Sequence, residues 1–170
     1  MVKLTKFDRM LHYIIWRCGD KKNVGVEVLC KLCYFSDFDH YEKTCESITG
    51  HTYIRLSHGP VPLDYDGRLG VLADEGLVSS AKGSSYNHTQ HRYTSLSCPD
   101  TSELSKVELE TIDSAISRYS DMNGVDIEKI SHADMPWRCA GDGSIIDYGL
   151  AMYRDARTSV DNTIYEDDGE

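Results

Sequence analysis

Long hydrophobic runs are missing from this 170-residue chain. No stretch approaches the roughly 20 apolar residues that a membrane span requires. The opening residues MVKLTKFDRM hold no uninterrupted apolar region of a secretory signal, so a soluble cytoplasmic protein is expected, with no membrane partner. Missing as well are G-x-x-x-x-G-K-[ST], G-x-G-x-x-G, H-E-x-x-H and G-x-S-x-G. The chain is therefore expected to be no enzyme and to use no cofactor. Basic residues are few: 18 Lys and Arg stand against 28 Asp and Glu, for a net charge of −10. Such a body disfavours a phosphate backbone, and nucleic acid is not an expected partner unless a local basic patch forms. From Ser159 to Glu170 there is no Lys or Arg beside Asp161, Glu166, Asp167, Asp168 and Glu170. That segment lacks the apolar surface to offset its ordering entropy and reads as a disordered acidic tail, 159–170, behind one domain, 1–158.

Six cysteines without a signal peptide read as reduced thiols. Cys30 and Cys33 form a C-x-x-C pair that His88, His91 and Cys98 could complete as a zinc site on paper. The pair also continues the helical stripe Val26, Leu29, Cys30, Cys33, and the core reading is preferred, so no metal is expected.

Apolar periodicity predicts a helix over about Leu4 to Arg17, stopped by Gly19, and a second over about Val24 to Tyr41. Apolar residues encircle much of the second, which marks it as the buried centre. Thr49-Gly50 then signals a turn, and HTYIRLS a strand with Tyr53, Arg55 and Ser57 on one face. Pro60 holds Gly59 out of the helical region, and Pro62 suits the entry to a helix over about Leu63 to Glu75. GLVSS and HRYTSL read as a strand hairpin. A capping-box pattern at Ser105 to Glu108 opens a helix to about Asp121, and a short helix follows at about Asp126 to Ser131. HADMPWRCAGDGS reads as a loop centred on Pro136 and Trp137. A last helix is expected over about Ile145 to Asp155, with Ile146, Leu150 and Tyr153 inward. The fold class is mainly α: a compact multi-helix domain with a small antiparallel β element.

Asp37, Asp39 and His40 could form an acid–base cluster, but Asp37 and His40 at i, i+3 are more simply a hydrogen-bonded surface pair. The helix followed by a hairpin has the order of a winged helix. Its helix, however, carries Asp64, Asp66, Asp74 and Glu75 against Arg68 alone, a poor surface for DNA. His58, His132 and Trp137 sit beside Gly-Pro and Met-Pro punctuation, where an aromatic anchors an interface or plugs a core.

In order, KLCYFSDFDHYEKTCESITGHTYIRLSHGPVP, LADEGLV and SHADMPW resemble the SocA-like Panacea antitoxin domain, over about Leu4 to Tyr153. The resemblance implies a mainly α, non-enzymatic antitoxin of bacteria, archaea or phages, placed in a prokaryotic or phage-infected cell. Its partner would be a cognate protein toxin, and a protease where the protein acts as an adaptor. Panacea domains accompany toxins of unrelated folds. The motif positions carried over are Tyr34, Phe35, Asp37, Thr49 and Gly50, with Tyr53, Gly59, Pro60, Pro62, His132 and Trp137. Adding Arg55 and His58 from the strand face gives the expected partner-binding set, none of it catalytic. The alternatives are a winged-helix-like DNA-binding regulator and a phage-associated accessory or proteolytic adaptor protein.

Overall fold

The computed structural model describes residues 2–85 and 88–161. Helix α1, Lys6–Cys18, starts on a capping box between Thr5 and Asp8 and stops at Gly19, whose φ of +53° suits a residue without Cβ. Helix α2, Val26–Thr44, is buried at every residue from Val28 to His40. Leu32, Cys33, Tyr34, Phe35 and Phe38 have no exposed surface at all. The other elements pack around this rod, as its encircling apolar pattern predicts.

Strand β1, Tyr53–Leu56, pairs antiparallel with β2, Gly59–Pro62, in the register Tyr53↔Pro62, Ile54↔Val61 and Leu56↔Gly59. The Gly-Pro-Val-Pro element is thus a strand, not the helix entry expected from Pro62. The reason is spacing. The Leu63 amide donates to Thr52 O at 2.8 Å, and alternation from that bond turns the nitrogens of Pro60 and Pro62 away from β1, where a missing N–H costs nothing. Residues 143–146 line the other edge of β1: Arg55 N donates to Ser144 O at 3.0 Å and Ile146 N to Tyr53 O at 2.9 Å.

Helix α3, Tyr65–Asp74, leads through Gly76 into the antiparallel hairpin β3, Val78–Ser85, and β4, His88–Ser95. Helix α4, Lys106–Tyr119, carries the expected capping box of Ser105 and Glu108. Helix α5, Gly124–Ala133, follows. The stretch expected to be a loop holds a short helix α6, Met135–Cys139, because Pro136 in its first turn fits helical φ without needing a donor. The expected last helix is a 3₁₀ turn, Tyr148–Tyr153. There Ile146 and Ala151 face inward, while Tyr153 is 70% exposed rather than buried. The chain is mainly α with small antiparallel β elements, and no described helix is long and apolar enough to cross a membrane.

The acidic tail was expected to begin at Ser159, yet Ser159–Asp161 lie on the body. Ser159 Oγ and the Val160 amide both donate to Glu42, at 2.6 and 2.8 Å. The remainder of that segment lies outside the described residues.

Leu32→Ala or Phe35→Ala removes a side chain with no exposed surface and should lower unfolding free energy by about 2–5 kcal/mol, read by urea denaturation.

Candidate functional site

The β1–β2 turn is pressed onto α5 and α6, and most of the expected partner-binding residues meet there. Arg55 lies 4.0 Å above the Trp137 ring, on which His132 also stacks at 4.1 Å. The Arg55 guanidinium donates to the carbonyls of Trp137, Arg138 and Ala140, at 3.1, 3.1 and 2.7 Å. The Trp137 indole donates back to Leu56 O at 3.3 Å. Beside this stack, Glu128 lies between two imidazoles, 3.4 Å from His58 Nδ1 and 3.9 Å from His132 Nε2. Glu27 joins from α2: it, His58 and Glu128 bring one ligand atom each within 4.8 Å of one another, the one such grouping among the described residues. Lys31 lies beneath, 1% exposed and close under Gly59. Burial pushes the Lys31 ammonium below its ordinary range, and Glu27 and Glu128 pull the other way. A Cβ at Gly59 would stand 2.6 Å from Ser131 Oγ and 2.7 Å from Lys31 Cε. With φ at +109° as well, only glycine closes this turn without strain.

The family-motif positions build the frame instead of the surface. Asp37 accepts from the Thr49 amide at 2.8 Å, the Thr49 hydroxyl at 2.6 Å and the Tyr53 hydroxyl at 2.6 Å. Burial raises its carboxyl against those three donors. The expected surface pair of Asp37 and His40 does not form. Both are buried, and His40 turns to Thr111 at 3.1 Å. Asp39, third member of that cluster, faces Arg154 and Arg118. With three separate partner sets, no acid–base cluster exists on this helix.

Tyr53, placed by sequence on a partner-facing strand face, is 1% exposed, and Gly59, Pro60 and Pro62 are buried. A residue without surface offers a partner nothing to touch. Arg55 points the same way as Tyr53 and is consumed by the α6 carbonyls. The alternation of the strand was read correctly and its outward side was not: Ile54 and Leu56 face out. His58 is exposed, while His132 and Trp137 are half-buried. Sequence reasoning missed Glu27, Glu128, Asp134 and Arg154, which sit in ordinary polar helix or loop contexts with no motif to mark them.

The zinc alternative finds no geometry among the described side chains. Cys30 and Cys33 are buried core thiols, pushed by burial to about 12 and well above the ordinary range respectively. His91 and Cys98 are exposed, and the side chain of His88 lies outside the described residues. The winged-helix order is present as α3 and its hairpin. Arg68, however, the one cation of α3, is spent on a bidentate pair with buried Asp8 at 2.7 and 2.8 Å. What remains outward on that helix includes Asp66 and Asp74.

Among known proteins, the family described as antitoxin SocA-like, Panacea domain, has a model that matches residues 29–138, roughly two-thirds of the chain, from Leu29 within α2 to Arg138 within α6. No curated protein and no solved structure matches.

Two outcomes follow from these contacts. Arg55→Ala should destabilise the fold by about 2 kcal/mol, since it strips three carbonyls of a charged donor; equal urea midpoints would show the contacts to be idle. Burial also holds the His12 and His40 rings below their ordinary value of 6.5. The unfolded chain then binds more protons between the depressed and ordinary values, so these rings lose stability as pH falls below about 6.5. Asp37 and Asp39, raised by burial, act in the opposite sense. The difference between wild type and His40→Gln isolates the imidazole, and that gap should narrow on going from about pH 7.5 to about 5.5.

Proposed function

Because the chain belongs to the SocA-like Panacea antitoxin family, we propose that it is the antitoxin of a toxin–antitoxin pair and neutralises its toxin by direct contact. The family match over residues 29–138 carries this reading. The geometry supports a binding role, with no catalysis: every member of the Asp37, Asp39 and His40 cluster is buried and engaged by a structural partner. A site built this way holds a rigid surface in place, and a rigid surface loses little entropy on association. The setting is the cytoplasm of a prokaryote or of a phage-infected cell. Delivery of the bound toxin to a protease would be a property of the same complex, visible as a shortened toxin half-life. Operator binding has less support, since Arg68 faces Asp8 and the α3 surface is acidic.

Expression of the neighbouring gene alone should arrest growth, and co-expression of this chain should restore it through a complex that survives size-exclusion chromatography. No toxicity, no complex and a retarded band with its own upstream DNA at physiological salt would replace the antitoxin reading with the regulator.

A further inference from the structure

Three short segments place aliphatic side chains on the outer face of the β1–β2 sheet. Ile54 is directly opposite Val61 on one side and Ile145 on the other. In an antiparallel ladder directly opposed residues share a face, so these three form one row. Leu56 continues the row along β1, and the Leu63 amide bond to Thr52 extends it past β2. Leu56 is 46% exposed, Leu63 48% and Ile145 68%. Beside Ile145 a cleft of about 330 Å³ opens between Gly50–Thr52 and Ile145–Tyr148, large enough to receive an anchoring side chain.

We infer that this face is the toxin-docking surface, and that the toxin meets it with an apolar patch edged by arginine or lysine. The inference rests on the antitoxin reading and adds the place and the chemistry of the contact. Charge fixes the occupant. Asp64 follows Leu63, Asp142 and Asp147 bracket Ile145, and all three are exposed. Residues 45–67 hold a single Lys or Arg, Arg55, and 140–153 hold none. Arg55 itself is turned to the opposite face, bound to the carbonyls of Trp137 and Ala140 and paired with Asp142 at 3.2 Å, so Asp64 and Asp147 carry most of the negative charge of the rim. An aliphatic centre with an acidic rim, on a chain of net charge −10, attracts a basic partner and repels a second copy of itself. The sheet is also pinned from beneath by Asp37, Thr49 and Tyr53, so it enters a complex already ordered.

The test uses the purified product of the neighbouring gene and the full chain carrying Ile145→Glu, Leu63→Glu or, as a control on α5, Val125→Glu. All three positions are exposed, so melting temperatures should stay near wild type. Ile145→Glu and Leu63→Glu should each weaken binding at least tenfold by calorimetry and abolish growth rescue, with Val125→Glu equal to wild type. Wild-type affinity should fall as salt rises from about 0.05 to about 0.5 M. Full binding by both sheet variants, with wild type also binding, overturns the surface and leaves the antitoxin reading standing. Absence of wild-type binding overturns both. Affinity indifferent to salt overturns the basic partner, and a wild-type dimer dispersed by Ile145→Glu assigns the face to self-association.

Discussion

Arg154 is the charge on which the packing of the helices depends. Its side chain has no exposed surface. It grips both oxygens of Asp134 at 2.8 and 2.9 Å, and Asp39 at 2.7 Å, with Glu42 at 3.5 Å. The Tyr34 hydroxyl donates to Asp134 at 2.6 Å, and Arg118 of α4 closes on Asp39. One guanidinium therefore joins α2, α4, the α5–α6 junction and the segment after the 3₁₀ turn. Burial works against its charge, but Asp134 and Asp39 outweigh that and hold it well above its ordinary range. A knot of this kind adds little net stability over an apolar core of equal shape. Removing a single partner is another matter, since the charges left behind are buried without compensation and the loss is of the order of 3–5 kcal/mol. In this arrangement of the helices the network pairs the Arg154 guanidinium, the Asp134 and Asp39 carboxylates and the Tyr34 hydroxyl with one another.

Asp37 does for the sheet what Arg154 does for the helices. One carboxylate, one turn below the Tyr34–Phe35 pair on α2, fixes both the Thr49 turn and the ring of Tyr53. Once Tyr53 points down, the alternation of the strand sends Arg55 onto Trp137 and leaves Ile54 and Leu56 outward. The character of the outer face thus follows from a buried contact on the inner one. The same logic places His58 at the tip, where Glu128 and Glu27 surround it and Lys31 offsets their charge from below.

Features written in short range were legible. The Ser105 to Glu108 capping box, the stops at Gly19 and Gly76 and the encircled α2 follow from neighbours within a few residues, and the structure has each of them. Features that depend on which face meets the core were not. Tyr53 and Ile54 are equally good strand residues, and only the position of Asp37 decides between them. Asp134 and Arg154 are separated by 20 residues, and Arg154 and Asp39 by 115. No spacing rule connects them, so a buried ion network passed as ordinary surface charge. The prolines misled in another way: Pro62 suits a helix entry and an edge strand equally, and the tie is broken by the Leu63 amide bond to Thr52.

This separation of roles bears on how such a domain could change partners. Ile54, Leu56, Val61, Leu63 and Ile145 take no side-chain part in the Arg154 or Asp37 networks, the second of which pins the sheet from its inner face. Substitutions at exposed positions with no shared partners act nearly independently of the core, and a surface aliphatic exchange costs little stability. The outer face can therefore vary while the charge knot holds the frame unchanged. The reverse does not hold. Altering Asp37 or Asp134 strands buried hydrogen-bonding groups and moves the whole sheet or helix they position. Selection for a new toxin would accordingly fall on the aliphatic row and its acidic rim, and selection for folding on Tyr34, Asp37, Asp134 and Arg154.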